Sequence, residues 1–308
     1  MNTRKHQQIE SALARIRVFQ RDPVYADKQY AIQQNIIFLE AVQSLPRYLR
    51  WLFTVAPKLD GSQLLELTDF PVPEWDIVMH ERLIAMQRRK RPGLITPLVT
   101  AITDYIKNED RDLILADLGA GGMEVDRQVI SWAINQKLSH RLTIVAVDKS
   151  PTTRRIAYAN LQNIAREAEV IETGEITADD LNRLQAGAKK NVLVVMCTND
   201  IFDMSNKFPS KCLDLVYHSL FRHHLDQVEQ GKLENTIQTI SKRHFEFDGY
   251  KSWPHGFIQS LFAWTSPVFL NGTIISMARY RTRNEISRES GGISYYANTS
   301  HYLRKLQS

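Results

Sequence analysis

The sequence predicts an α/β fold: a doubly wound, mostly parallel sheet preceded by a helical N-terminal segment. Three observations predict this fold. Over about the first 110 residues, apolar side chains recur at the spacing of amphipathic helices. After Asp112, short, continuously apolar runs alternate with helical stretches, as in strands that are buried on both faces of a parallel sheet. The lengths between these runs suit right-handed crossovers from one parallel strand to the next.

Residues 1–92 are predicted to form a helical cap or extension of a main domain at 93–308. Two sets of apolar residues each share one helical face: Ile9, Leu13, Ile16 and Phe19, followed by Ile32, Ile36 and Leu39. Between them, Asp22 and Pro23 have the form of an N-cap followed by proline at the first helical position. Prolines at 46, 57, 71, 73 and 92 break the remainder into short helices, which are marginal alone. The same apolar faces could instead build a homodimer interface.

Seven strands are predicted in the main domain. Four are apolar runs: LILADL (113–118), LTIVAVD (142–148), VLVVMC (192–197) and LDLVYH (213–218). The fifth is predicted at 243–250, RHFEFDGY, directly after a helical stretch, with 272–280, GTIISMARY, as the alternative. The tail GISYYANTSHYLRKL is typical of two strands joined by a turn at Ala-Asn-Thr-Ser. The stretch 166–191 is longer than a crossover requires, and no function is assigned to it.

Composition indicates an ordinary globular protein, for which we expect a cytoplasmic location. No run of 18 apolar residues predicts a membrane span, and the first residues lack the apolar centre of a signal peptide. Two cysteines make no disulfide framework. The net charge of +5 permits a nucleic-acid partner without requiring one. The basic run RRKR at 88–91 is more simply explained as the solvated end of a helix.

A glycine-rich loop follows the first predicted strand. Asp117 lies at the carboxyl end of this strand, where ligands of open α/β sheets bind. Gly119, Gly121 and Gly122 then allow a tight turn and a close approach to a ligand. A carboxylate here would repel a pyrophosphate but suits a cation, such as a free α-amino group or a sulfonium. The dinucleotide pattern of three glycines also fails, because Glu124 stands at its last position.

Two further acids follow the second and third predicted strands. Asp148, at the end of the second, is placed to accept hydrogen bonds from both hydroxyls of a ribose. Asp200 with Ile201 could contact the exocyclic amine and one face of an adenine. Together with Asp117, these positions indicate a nucleoside that carries an amino-acid tail.

Over roughly residues 90–308 the sequence resembles the class I (Rossmann-like) S-adenosylmethionine-dependent methyltransferases, of the small-molecule type. ADLGAGG resembles their glycine loop, VAVDKS their ribose-binding strand end, TNDIFDM their adenine-contact segment and LDLVYHSLFRHHL their fourth-strand motif. The resemblance implies a seven-stranded sheet with an antiparallel last strand, and methyl transfer from S-adenosyl-L-methionine. It implies these cofactor-binding residues: Asp117, Gly119, Ala120, Gly121, Asp148, Lys149, Asp200, Ile201, His218 and Ser219.

On the acceptor side, His223 and His224 follow the fourth predicted strand and are candidates for a catalytic general base. Alternatively, one or both only satisfy loop hydrogen bonds. Phe221, Trp253 and His255 are candidates for the substrate pocket, although the stretch around 252–267 could equally be an ordinary packed helix. No metal site is predicted, because the histidine pair has no third ligand at a recognisable spacing.

Three functions fit these motifs. The first is a methyltransferase acting on O, N or C of a small-molecule acceptor. The second is an RNA or DNA methyltransferase; against it, the sequence lacks the Asp/Asn-Pro-Pro-aromatic tetrapeptide and the Pro-Cys pair of such enzymes. The third is a non-catalytic S-adenosylmethionine-binding module. Intact donor motifs favour an enzyme, and the missing nucleic-acid motifs favour a small-molecule acceptor.

Overall fold

The computed structural model describes most of the chain and divides it into two compact units. It describes residues 3–44, 93–225, 227–251, 267–288, 292–296 and 301–307, with positions 64, 80, 81, 83–85, 87 and 88. One unit comprises Met1–Met79 and Tyr250–Arg283; the other comprises His80–Gly249 and Asn284–Ser308. Residues 250–283 thus group with the N-terminal residues, whereas the sequence assigned them to the main domain. The role of the N-terminal residues as a cap stays a prediction.

The second unit contains a sheet of eight strands in the order β3-β4-β2-β1-β5-β6-β8-β7. The strands are β1 (Leu113–Leu118), β2 (Leu142–Val147), β3 (Glu169–Glu172), β4 (Val192–Cys197), β5 (Leu215–Ser219), β6 (Arg243–Gly249), β7 (Gly292–Tyr296) and β8 (His301–Gln307). Neighbours from β3 to β6 are parallel, and β8 runs antiparallel to both β6 and β7. The predicted α/β class, the mostly parallel sheet and the antiparallel last strand are therefore confirmed.

The seven predicted strands occupy consecutive positions in this sheet, and β3 is added at its edge. This strand lies inside the long stretch 166–191 that the sequence left without an assignment. It has only four residues and is partly exposed, so it leaves no continuous apolar run in the sequence. The predicted fifth strand is confirmed as β6, and its alternative at 272–280 lies largely within a helix.

Helices cover both faces of the sheet. Counting both units, the helices with described bounds are α1 (Thr3–Phe19), α2 (Gln29–Ser44), α3 (Thr96–Lys107), α4 (Glu124–Gln136), α5 (Pro151–Leu161), α6 (Ala178–Gly187), α7 (Met204–Lys207), α8 (Gln227–Ile240), α9 (Pro267–Arg279) and α10 (Arg283–Arg288). One buried cluster joins α3, α4 and α5 to the face of β1 that carries Leu113 and Leu115. A second joins α6 and α8 to the opposite face, which carries Ala116 and Leu118. Successive strand residues alternate between the clusters, as expected for a sheet buried on both sides.

The first unit has its own core. The two predicted apolar faces of α1 and α2 pack together in one buried cluster, with Leu64 and Ile275. Asp22 accepts a hydrogen bond from the Val24 N–H at the start of a 3₁₀ helix, Pro23–Lys28, which confirms the predicted cap. None of the described helices is long and apolar enough to span a membrane.

Candidate active site

The glycine loop turns sharply between β1 and α4. Gly119 and Gly121 have φ angles of +70° and +53°, a backbone region that residues other than glycine rarely adopt. The N–H groups of Gly119 and Ala120 both donate to the Val147 carbonyl at the end of β2. A methyl group on Gly119 would lie 2.2 Å from the ring of Phe221. The backbone here is therefore held against an aromatic side chain that the sequence singled out for the substrate pocket.

Asp117 is buried beneath this loop and faces a second carboxyl group. It is 2% exposed, and its carboxyl group is hydrogen-bonded to that of Asp126. Burial raises the pKa of Asp117 well above its ordinary value, and the neighbouring charge of Asp126 raises it further. Burial raises the pKa of Asp126 as well, although hydrogen bonds from Asp117 and the Tyr217 hydroxyl partly oppose the shift. Both shifts favour the protonated form of these carboxyl groups, and a cation held against Asp117 would oppose the shift of its pKa.

Asp148 ties the glycine loop to the start of α5. Its Oδ2 atom accepts a hydrogen bond from the Gly121 N–H at 3.0 Å, and its Oδ1 atom accepts one from the Ser150 N–H at 2.9 Å. Burial raises the pKa of this carboxyl, and the two backbone donors oppose that shift. A carboxylate has about four lone-pair sites, so two remain available for donors such as ribose hydroxyls.

Lys149 and Asp200, predicted separately as cofactor-binding residues, form an ion pair beyond the ends of β2 and β4. The Lys149 Nζ atom lies 2.7 Å from Oδ2 of Asp200, whose Oδ1 atom accepts from the Phe202 N–H. Although burial opposes it, the lysine holds the pKa of Asp200 below its ordinary value. Ile201 beside them is 7% exposed and belongs to the apolar cluster on this face.

His218 and Ser219 end β5, but His218 is turned away from solvent. Its ring is fully buried, 6.2 Å from the Phe221 ring and 5.1 Å from the His244 ring between centroids. Burial and the neighbouring His244 lower the pKa of His218 to about 3, so the imidazole is neutral. Ser219 is half-buried and pairs with Phe247 of β6.

His223 forms a buried pair with a carboxylate that the sequence analysis missed. Its Nδ1 atom lies 2.6 Å from Oδ1 of Asp248, and its backbone N–H donates to Oδ2 of the same residue at 3.1 Å. Although burial opposes it, the imidazole holds the pKa of Asp248 below its ordinary value. The His224 ring lies 4.2 Å from the His223 ring between centroids. A carboxylate that holds Nδ1–H orients the imidazole and strengthens its other nitrogen as a base.

The signal for Asp248 was present in the sequence. Asp248 is an acid near the carboxyl end of the predicted fifth strand. Asp117 and Asp148 were identified because they stand at the same place in the first and second predicted strands. Phe221 is placed against the glycine loop, as described above. Trp253 and His255, the other two candidates for the substrate pocket, lie outside the described residues.

The chain was compared with family models, curated proteins and solved structures. No family model and no curated protein matches the chain. Among solved structures, it is similar to the CurJ carbon methyltransferase, with 12% identity, a TM-score of 0.50, and coverage of 98% of this chain and 71% of that one. The small RNA methyltransferase HEN1 shows 13% identity over 70% of this chain and 26% of that one, with a TM-score of 0.46. The DszA carbon methyltransferase shows 9% identity over 95% of this chain and 69% of that one, with a TM-score of 0.41.

At such low identity, the likeness to the CurJ structure establishes the fold alone. The chain has the fold of the class I, Rossmann-like S-adenosylmethionine-dependent methyltransferases.

Proposed function

We propose that the protein is an S-adenosylmethionine-dependent methyltransferase that acts on a small-molecule acceptor, with the His223–Asp248 pair as its general base. One observation carries the proposal. A buried carboxylate–imidazole pair stands at the ends of β5 and β6, beside the strands that carry the donor-site acids. All these strands are parallel, so their carboxyl ends meet at the same edge of the sheet, where ligands of this fold bind.

The donor side fits a nucleoside with a cationic amino-acid tail. Asp117 offers a buried carboxyl group at the end of β1, whose negative charge a bound ammonium or sulfonium would balance. Asp148 retains acceptor capacity for ribose hydroxyls, and Ile201 offers an apolar surface to an adenine. Asp200 would accept from the adenine amine in competition with Lys149. When bound, S-adenosylmethionine supplies an activated methyl group on a sulfonium.

On the acceptor side, this chain's own contribution is positioning and proton removal. Methyl transfer is an in-line displacement, and holding the two reactants in line supplies much of the rate. A base is needed where the attacking atom carries a proton, as in a hydroxyl, an amine or an acidic C–H. Nε2 of His223 would take that proton, while Asp248 holds the proton on Nδ1 and stabilises the imidazolium.

The test combines cofactor binding with turnover in full-length variants. Calorimetry should show binding of S-adenosylhomocysteine and no binding of NAD, and acceptors would be screened by release of S-adenosylhomocysteine. His223→Gln and Asp248→Asn should lower kcat by about 10²-fold or more, since general-base catalysis contributes about 10² to 10⁴. S-adenosylhomocysteine affinity should stay unchanged in both. His224→Gln is the matched control and should keep most of the activity.

Each contrary result points to a different error. Binding of NAD without S-adenosylhomocysteine would remove the donor proposal. Turnover that survives in His223→Gln but not in His224→Gln would move the base to the second histidine. Salt-sensitive methylation of RNA or DNA, with no small-molecule turnover, would favour the nucleic-acid alternative. Binding of S-adenosylhomocysteine with no turnover of any acceptor class would favour a non-catalytic module.

A further inference from the structure

A cluster of three side chains that could bind a metal lies between β5 and β6. In the parallel register, His218 of β5 is opposite Glu246 of β6. His244 lies two residues before Glu246 and therefore points to the same face of the strand. One ligand atom from each of the three residues lies within 4.8 Å of the other two. All three side chains are at most 1% exposed.

Three of the four imidazole nitrogens in this cluster have no hydrogen-bond partner among the described residues. Nδ1 and Nε2 of His218 and Nε2 of His244 are buried and accept or donate no hydrogen bond among the described residues. Burying a polar group without a hydrogen-bond partner is unfavourable, so several such groups at one place call for an explanation.

The surrounding charges hold the carboxylate in place without making the cluster strongly positive. Glu246 accepts a hydrogen bond from the Tyr302 hydroxyl, and Arg222 and Arg304 lie 3.3 and 3.6 Å from its Oε2 atom. Arg222 is also paired with Glu234 at 3.0 Å. Counting Asp248 on the same strand face, three carboxylates outnumber the two guanidinium groups in this part of the described structure. Groups that hydrogen-bond to a metal ligand without touching the metal commonly hold that ligand in its orientation.

We propose that His218, His244 and Glu246 bind a divalent transition metal, with Zn²⁺ as the best match. Two imidazoles and one carboxylate are a known zinc ligand set, completed to a tetrahedron by a fourth ligand, whereas Mg²⁺ and Ca²⁺ select oxygen ligands. The metal would join β5 to β6 below the His223–Asp248 pair. Its role is structural, because the ligands are buried.

The first experiment measures metal in the full-length chain. The protein is treated with dipicolinate, dialysed, and titrated with Zn²⁺ and with Co²⁺, whose visible absorption reports its coordination. We expect one equivalent of Zn²⁺ per chain, a higher melting temperature with the metal, and intense four-coordinate Co²⁺ bands. A protein that takes up no equivalent of either metal, and melts at the same temperature with and without it, would overturn the proposal.

Variants then assign the ligands. His218→Ala and His244→Ala should each lower Zn²⁺ affinity at least about tenfold, because losing even a residue that only hydrogen-bonds to a metal ligand costs about 10- to 100-fold. The matched control is His140→Ala, because the His140 ring nitrogens also lack partners but the residue precedes β2 outside the cluster. An equal loss of Zn²⁺ affinity in all three variants would contradict the assignment of His218 and His244 as ligands. If the ligand variants do not fold, the zinc-loaded wild type is measured by X-ray absorption spectroscopy. We expect scattering from imidazole ligands in the spectrum. A zinc spectrum without imidazole scattering would refute the site.

Discussion

Replacing Asp148 separates its two tasks, holding the glycine loop and holding a ribose. Hydrogen bonds to a charged acceptor contribute about 1.5–3 kcal/mol, so Asp148→Ala should weaken S-adenosylhomocysteine binding about tenfold to 150-fold. A strand-end position alone would predict little effect on stability. However, the variant also loses the bonds from Gly121 and Ser150. At about 1 kcal/mol each, their loss should lower the melting temperature by a few degrees.

Asp148→Asn distinguishes the two contributions. The amide keeps one oxygen acceptor and the shape of the side chain, but it loses the charge and one acceptor. Its affinity should therefore fall between wild type and Asp148→Ala. Calorimetric titration with S-adenosylhomocysteine measures the affinity, and Asp179→Ala, which removes an exposed acid from α6, is the charge-matched control. If both Asp148 variants bind as tightly as wild type, the ribose is held elsewhere and the assignment of β2 to the donor site is wrong.

Gly119→Ala should both destabilise the protein and abolish cofactor binding, because its φ angle is +70° and the added methyl meets Phe221. Adding Phe221→Ala should recover part of the melting temperature; no recovery would show that the ring is not what opposes the methyl group. The raised pKa of Asp117 contributes stability that is complete below the ordinary carboxyl pKa of about 4 and is lost as the pH rises through the raised value. The free energy of unfolding, measured in urea, should therefore decline less with pH in Asp117→Asn than in wild type, and an equal decline would contradict the raised pKa of Asp117. Deleting residues 1–90 should weaken or abolish turnover while S-adenosylhomocysteine binding survives in part. Turnover at the full-length rate, or a dimer lost on truncation in sedimentation, would point to an interface instead of a cap.

The strands of the sheet could be predicted because their signal is local. Runs such as LILADL and VLVVMC are apolar on both faces, and few structures other than a doubly covered parallel strand bury both faces of so short a segment. Once these strands were assigned, topology placed Asp117 and Asp148 at one edge without any knowledge of their contacts. The edge strand β3 lacked this signal, because an edge position leaves its residues half-exposed.

Pairings between distant residues could not be predicted in the same way. Asp126 lies in the first turn of α4, where an acid is usually explained by the helix dipole, yet it faces Asp117 and accepts from Tyr217. Lys149 and Asp200 are 51 residues apart and meet because β2 and β4 are neighbours in the sheet. Such contacts follow from strand order, which local patterns do not contain.

The burial of the polar face of β6 also could not be predicted from the sequence. In the sequence RHFEFDG, polar and apolar residues alternate, which usually indicates a strand with one face in water. In the structure both faces of β6 are buried. Phe245 and Phe247 pack on one face. The other face carries His244, Glu246 and Asp248, and each of these three residues is at most 2% exposed. Burial of so many ionisable groups is stable only when they satisfy one another or a bound ion. Asp248 is satisfied by His223 and Glu246 by Tyr302 and two arginines, whereas the imidazoles of His218 and His244 retain nitrogens without partners. The strand that positions the proposed base is therefore also the strand on which a metal ion would complete an otherwise unsatisfied polar core.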